Sequence, residues 1–267
     1  MLDVLGYVIS GAVLGFLIGL TGVGGGVLTV PVLILIMGLE PIEAVGTAGL
    51  FAVLTKVYAG IKHYRQGTIN IKVGLKFLAY TLPGVIVASL LVKWGKASLS
   101  PHGVDALQAA VSYVIIGAIS FALPALLFDY AKVKGYFLYT PAGQILRVLS
   151  LFSIGAIIGM TSVGGGILII PALLVFYREV SRYVGTSIFV GLLSLVAMSC
   201  IYAFVGHGAG HGGDVNFTVA ALMAIGSLVG THCGSSLSKK IEPRRLQFVV
   251  MAVMILAAIM MILDKLL

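Results

Sequence analysis

Charge is the main thing this chain lacks. Only 10% of its 267 residues are Asp, Glu, Lys or Arg, against roughly 25% in a soluble domain. So few charges cannot cover a water-facing surface, and 60% of the residues are hydrophobic, with a mean hydropathy of +1.13. Several apolar runs exceed the roughly 18 residues that mark a bilayer crossing, so the sequence is that of an integral membrane protein. Cysteine is nearly missing too. Cys200 and Cys233 fall within apolar segments, with no disulfide framework or metal spacing around them, and they read as small core residues. The opening "MLDVLGYVIS" has no basic n-region and no cleavage site, so the first apolar segment is expected to be retained. There is no nucleotide-binding motif or soluble domain for ATP hydrolysis, and no helix carries paired acids at i and i+4.

The net charge of +8 does not point to nucleic acid, because the basic residues sit in short clusters between apolar runs, as cytoplasmic loops do. No cofactor is implied. The partners expected are a small anionic substrate and the lipid bilayer, with a homodimer as one arrangement the sequence leaves open.

What is present is a duplication. "TGVGGGVLTVP" from Thr21 returns as "TSVGGGILIIP" from Thr161; "VGT" at 45–47 returns at 184–186; "GTIN" at 67–70 returns as "GDVN" at 213–216; "LQ" at 107–108 returns at 246–247. In the first half (1–128) the apolar elements run 4–20, 27–39, 44–61, 72–92 and 104–128. In the second (148–267) they run 148–160, 167–177, 183–205, 217–238 and 246–264, after a polar connector at 129–147. The last three of each set can cross a ~30 Å core at 1.5 Å per residue, whereas the elements flanking the glycines look like half-helices.

Charge placement separates two topologies. If each glycine motif is a kink in one long helix, the halves are parallel and the basic residues divide evenly. Lys93, Lys96, Arg178, Arg182, Lys239, Lys240, Arg244 and Arg245 then oppose Lys62, Arg65, Lys72, Lys76, Lys132, Lys134, Arg147 and Lys265. If each motif is instead the tip of a hairpin, only Lys93, Lys96 and Lys265 remain outside and the other thirteen face the cytoplasm. The second split is what the positive-inside rule expects. The fold expected is therefore an all-α polytopic membrane protein of two inverted repeats. Each is a glycine-tipped broken-helix hairpin (4–39 and 148–177) plus three full transmembrane helices, with the connector cytoplasmic and both termini outside. The same parity holds if each hairpin crosses fully twice.

Broken backbone at membrane depth is tolerated only where protein or a water-filled cavity satisfies its peptide groups, and inverted repeats with broken helices recur in secondary transporters. Glycine permits the turn and lets a ligand approach the backbone. The helices restarting near Val27 and Ile167 would aim free N–H groups and the positive dipole end inward, where they attract an anion. The expected substrate contacts are Thr21, Gly22, Gly24, Gly25 and Gly26 in one half, and Thr161, Ser162, Gly164, Gly165 and Gly166 in the other. Thr47, Thr186 and Ser187 of the "VGT" motifs extend this set, or else bond neighbouring carbonyls. "GVGGG" as a dinucleotide fingerprint lacks its strand and helix context. Simple close packing accounts for Gly11, Gly15 and Gly19 better than for three contiguous glycines.

Lys56 lies within a span and is a candidate for charge or proton coupling, unless it snorkels to the inner face. His232, in "GTHCGSS", is a second candidate for proton coupling. His207 and His211 with Asp214 have metal-like spacing but sit in a glycine-rich loop that suits a gate or a solvated segment. Glu40 and Glu179 match across the repeat and read as helix-end or surface residues.

The doubled "GxGGG…P" hairpin, each followed by a "GT" motif, resembles the TauE/SafE or sulfite exporter family over essentially the whole chain. The first half departs slightly, with "GTAG" against "GTSI" in the second. The resemblance implies a permease of a bacterial or archaeal cytoplasmic (inner) membrane, moving sulfite, thiosulfate or an organosulfonate such as sulfoacetate, often outward. The expected function is secondary transport by alternating access, driven by a proton gradient or membrane potential. The competing readings are an anion channel, an uptake permease for another small anion and, least supported, a membrane enzyme, for which Ser162 has no histidine partner in sequence.

Overall fold

The computed structural model of this chain describes residues 2–21, 26–127, 141–163, 166–177, 182–205, 213–238 and 243–266. They are helical almost throughout, and no strand occurs among the described residues. The helices are α1 (Leu2–Thr21), α2 (Gly26–Leu35), α3 (Pro41–Arg65), α4 (Ile71–Ser98) and α5 (Pro101–Leu127) in the first half. In the second they are α6 (Pro141–Thr161), α7 (Gly166–Ala172), α8 (Tyr183–Phe204), α9 (Phe217–Ser238) and α10 (Pro243–Leu266).

Local chemistry explains the breaks. α3, α5, α6 and α10 open on proline, whose fixed φ suits a first helical position and whose missing N–H is not needed there. α4 and α9 open on Asn70 and Asn216, whose Oδ1 atoms accept from the N–H groups of Val73 at 3.3 Å and Val219 at 3.1 Å. α2 ends where Gly38 turns left-handed at φ +67°, with Gly38 N–H on Ile34 O and Leu39 N–H on Leu33 O. Pro31 and Pro171 sit at matching places in α2 and α7. After Pro171 the chain widens into a π-helical turn over Leu173–Tyr177, since proline cannot make its ladder bond.

Among the described residues, six helical stretches are long and apolar enough to cross a membrane: Pro41–Arg65, Ile71–Ser98, Pro101–Phe121, Gly143–Thr161, Tyr183–Phe204 and Phe217–Gly234. The chain is thus a multi-pass membrane protein. One detail differs from the sequence reading. The helices flanking each glycine run are lopsided: α1 and α6 have 20 and 21 residues, about 30 Å of helix, while α2 and α7 have 10 and 7.

The lopsidedness has a packing cause. Gly11, Gly15 and Gly19 of α1 lie against the backbone of Met223, Ser227 and Thr231 of α9, and Gly226, Gly230 and Gly234 return the contact on Val8, Ala12 and Phe16. A Cβ at any of them would strike backbone, so these positions let the helices approach along most of their length. α6 packs on α4 in the same way, with Gly155 and Gly159 against Thr81 and Val85, and Gly84 against Phe152. α1 and α6 are therefore each seated on a helix of the opposite half.

The order of contacts sets direction. α1 runs parallel to α9, and α6 parallel to α4. Gly49 of α3 meets Met198 and Ser199 of α8 whereas Gly60 meets Ile188 and Leu192, so α3 and α8 are antiparallel. Asn70 and Gly74 meet Thr186 and Phe189, so α4 and α8 run parallel. Cys200 and Cys233 are exposed on α8 and α9, not core residues as expected.

Candidate functional site

The second glycine tip begins where α6 stops. Thr161 Oγ1 donates back to Ile157 O at 2.6 Å and accepts from Val163 N–H at 3.2 Å. That bond leaves the Gly159 carbonyl, which would be Val163's helical partner, to other donors. Tyr202 Oη of α8 donates to it at 3.0 Å and Ser89 Oγ of α4 at 3.2 Å. Side-chain hydroxyls thus satisfy a helix end that lipid could not. Ser162 follows at φ +53°, the one non-glycine left-handed residue among those described. This conformation carries a strain of order 1 kcal/mol for a residue with a Cβ.

Ser162 is fully buried, and its Oγ has no hydrogen-bond partner. A buried unsatisfied hydroxyl costs roughly 1–3 kcal/mol, so strain and an orphaned donor coincide at one residue. Opposite it stands Gly26, the first residue of α2. A Cβ there would collide with the Ser162 carbonyl oxygen and lie 3.0 Å from Ser162 Oγ. Gly26, Val27, Leu28 and Thr29 are all buried. The N-terminal end of α2, with N–H groups that have no intrahelical acceptor, therefore abuts an orphaned hydroxyl contributed by the opposite half.

The remaining expected contacts divide. Thr21 closes α1 and Gly166 opens α7, while Gly22, Gly24, Gly25, Gly164 and Gly165 lie outside the described residues. Among the described residues, no hydrogen bond joins Thr47 or Thr186 to the tips or to each other. Thr47 Oγ1 accepts from Asn216 N–H at 2.9 Å, and Thr186 Oγ1 accepts from Asn70 N–H at 2.9 Å. Because α3 and α8 are antiparallel, the two bonds sit toward opposite ends of the bundle. Ser187 Oγ donates to Val184 O within its own helix at 2.8 Å. Thr47 and Thr186 each tie one half to the other through an N–H group, whereas only Ser187 bonds a neighbouring carbonyl.

Lys56 is half-buried on α3. Its neighbour Thr55 lines a cavity of about 520 Å³ between α3 and α9, together with Tyr58, Ser227, Thr231, His232 and Cys233. His232 thus lines that cavity, and Lys56 follows Thr55 on the facing helix. His207, His211 and Glu179 lie outside the described residues. Among the described residues no three His, Cys, Asp or Glu side chains gather as metal ligands.

Sequence reasoning considered Asp214 only beside His207 and His211, as part of a metal-like spacing in a loop, and not as an ion-pair partner. Its carboxylate takes Lys93 Nζ at 2.5 Å and Lys96 Nζ at 2.6 Å. Burial alone would raise its pKa, but the two lysine hydrogen bonds and charges outweigh it and hold the carboxyl below its ordinary value. The signal was available: Lys93 and Lys96 were two of three basic residues left on the sparsely charged face.

Residues 7–261 match the family described as sulfite exporter TauE/SafE. The chain is 32% identical over 262 residues to the probable membrane transporter protein YjnA of Bacillus subtilis, covering 96% of this chain and 98% of that one. It is 24% identical to the probable membrane transporter protein YunE of the same organism, over 93% of each chain. It is 25% identical to the probable membrane transporter protein MJ0441 of Methanocaldococcus jannaschii, over 96% of this chain and 94% of that one. No solved structure matches. The repeated glycine runs, the paired "GT" segments and this match over nearly the full length place the chain in the sulfite exporter TauE/SafE family.

Proposed function

We propose that this protein is a secondary transporter of the cytoplasmic membrane that exports a small sulfur-containing anion, such as sulfite, thiosulfate or an organosulfonate. Its two halves are inverted repeats, and alternating access exposes one central site to each side in turn. The helix directions support this reading. A kinked single span in each half would make α3 parallel to α8 and α4 antiparallel to α8, the reverse of both observed relations. The carrying observation is the contact of Gly26 with Ser162: an amide-bearing helix start faces a buried hydroxyl that lacks a partner. An anion between the tips would accept from both, relieving the orphaned donor without a buried lysine.

Reconstituted vesicles test the reading. A carrier gives saturable flux of labelled sulfite or thiosulfate and counterflow driven by unlabelled substrate. Flux that never saturates and follows only the electrical gradient would make the protein a channel.

A further inference from the structure

At the end of the bundle where α4 finishes and α9 begins, charged groups from three segments converge. Lys93 and Lys96 project from α4, Asp214 lies just before α9, and Glu40 lies in the turn between α2 and α3. Asp214 takes both lysines, Lys96 also stands 3.8 Å from Glu40, and Gln108 of α5 donates to Glu40 at 3.1 Å. Lys93 is 6% exposed and Asp214 8%. The same short segment is pinned on α3, since the Asp214 carbonyl abuts Gly46 and Asn216 N–H bonds Thr47. The cluster thereby ties α4 to α3, α5 and α9 at once. Two positive and two negative charges cancel, so it is no lure for an anion.

The opposite end is built differently. There the repeat puts Thr68 where Asp214 stands, and Gly185 abuts the Thr68 carbonyl as Gly46 abuts that of Asp214. Yet Thr68 Oγ1 lies 2.8 Å from His63 Nδ1 and donates to the His63 carbonyl at 3.0 Å, both within one turn of chain. A carboxylate that reaches another helix is present at one end and replaced by a locally bonded hydroxyl at the other.

We propose that Lys93, Asp214 and Lys96 form a latch that holds this end of the bundle closed and that parts to open it. A buried ion pair gains about as much from attraction as it loses in hydration, so closed and paired lies near in free energy to open and solvated. Separated charges in a dry site are far less stable than either. Such a device has two states and little between them, which suits a gate. The latch rests on the transport reading only in that its face is taken as the outer one.

The test uses the full-length chain with Cys200 and Cys233 replaced by serine and a reporter cysteine at Ala220→Cys, fully buried in the first turn of α9. A membrane-impermeant maleimide is added to intact cells and, separately, to inverted vesicles. The latch predicts labelling about tenfold faster in Asp214→Asn than in the unaltered latch. The same rise is expected in Lys93→Met/Lys96→Gln/Asp214→Asn, which leaves none of these three charges unpaired. Unchanged labelling in the triple variant, eluting as a folded species, would overturn the latch and leave the cluster a static brace. Faster labelling only in inverted vesicles would keep the latch and refute the assigned orientation.

Discussion

Gly26 and Ser162 come from opposite halves of the chain, yet they are packed so closely that the glycine has no room for a side chain. The contact joins the start of α2 to the end of α6. Replacing Gly26 with valine must push the tips apart, because the obstructing atom is a backbone carbonyl. Expected is loss of anion flux in vesicles while the protein still inserts and elutes as a folded species. Retained flux would show that the approach matters only for packing.

Thr47 and Thr186 are expected to behave as a matched pair. Each accepts one backbone N–H from the other half. Thr47→Val and Thr186→Val should each lower stability by roughly 1–3 kcal/mol, the cost of an orphaned buried N–H. The double variant should lose about the sum, since the sites share no partner. Unfolding in detergent measures this, and strong loss of anion binding without loss of stability would instead return these hydroxyls to the substrate.

Lys56 offers a charge on a helix that lines a cavity. Lys56→Met is expected to weaken anion affinity by up to about tenfold, the scale of one partly screened charge. Unchanged affinity in a titration would remove Lys56 from the anion's path.

The Asp214 pairing has a pH signature. Its folded pKa lies below the ordinary 3.8, so the unfolded chain takes up the proton first as pH falls. The stabilisation is then full above the unfolded value and is lost as pH drops through the folded one. The difference in melting temperature between the unaltered protein and Asp214→Asn should stay constant above about pH 5 and shrink below about pH 4. A difference that grows on acidification would contradict the ion pair.

Much of the architecture was legible from a few residue types. Prolines 41, 101, 141 and 243 mark helix starts, Asn70 and Asn216 mark caps, and the triple glycines mark the breaks. The count of basic residues on each face is what argued for the inverted arrangement proposed above. Partner choice was not legible. Gly11, Gly15 and Gly19 announce a close neighbour, but nothing local says that it is α9, since small residues can suit any helix. The ion cluster escaped for a similar reason: Lys93 and Asp214 are 121 positions apart and meet only once both halves have folded. Ser162 was chosen as a hydroxyl beside glycines, whereas its strain and missing partner are properties of the fold.

The most direct measurement is the dissociation constant of sulfite, thiosulfate and sulfoacetate for the purified protein and for Ser162→Gly. Glycine removes the hydroxyl and also accommodates φ +53°, so the fold is not weakened by the change. The account predicts that the preferred anion binds roughly ten- to 150-fold more weakly to the variant, the cost of one hydrogen bond to a charged group. Equal affinity in the two proteins would place the anion elsewhere and remove the site between the tips.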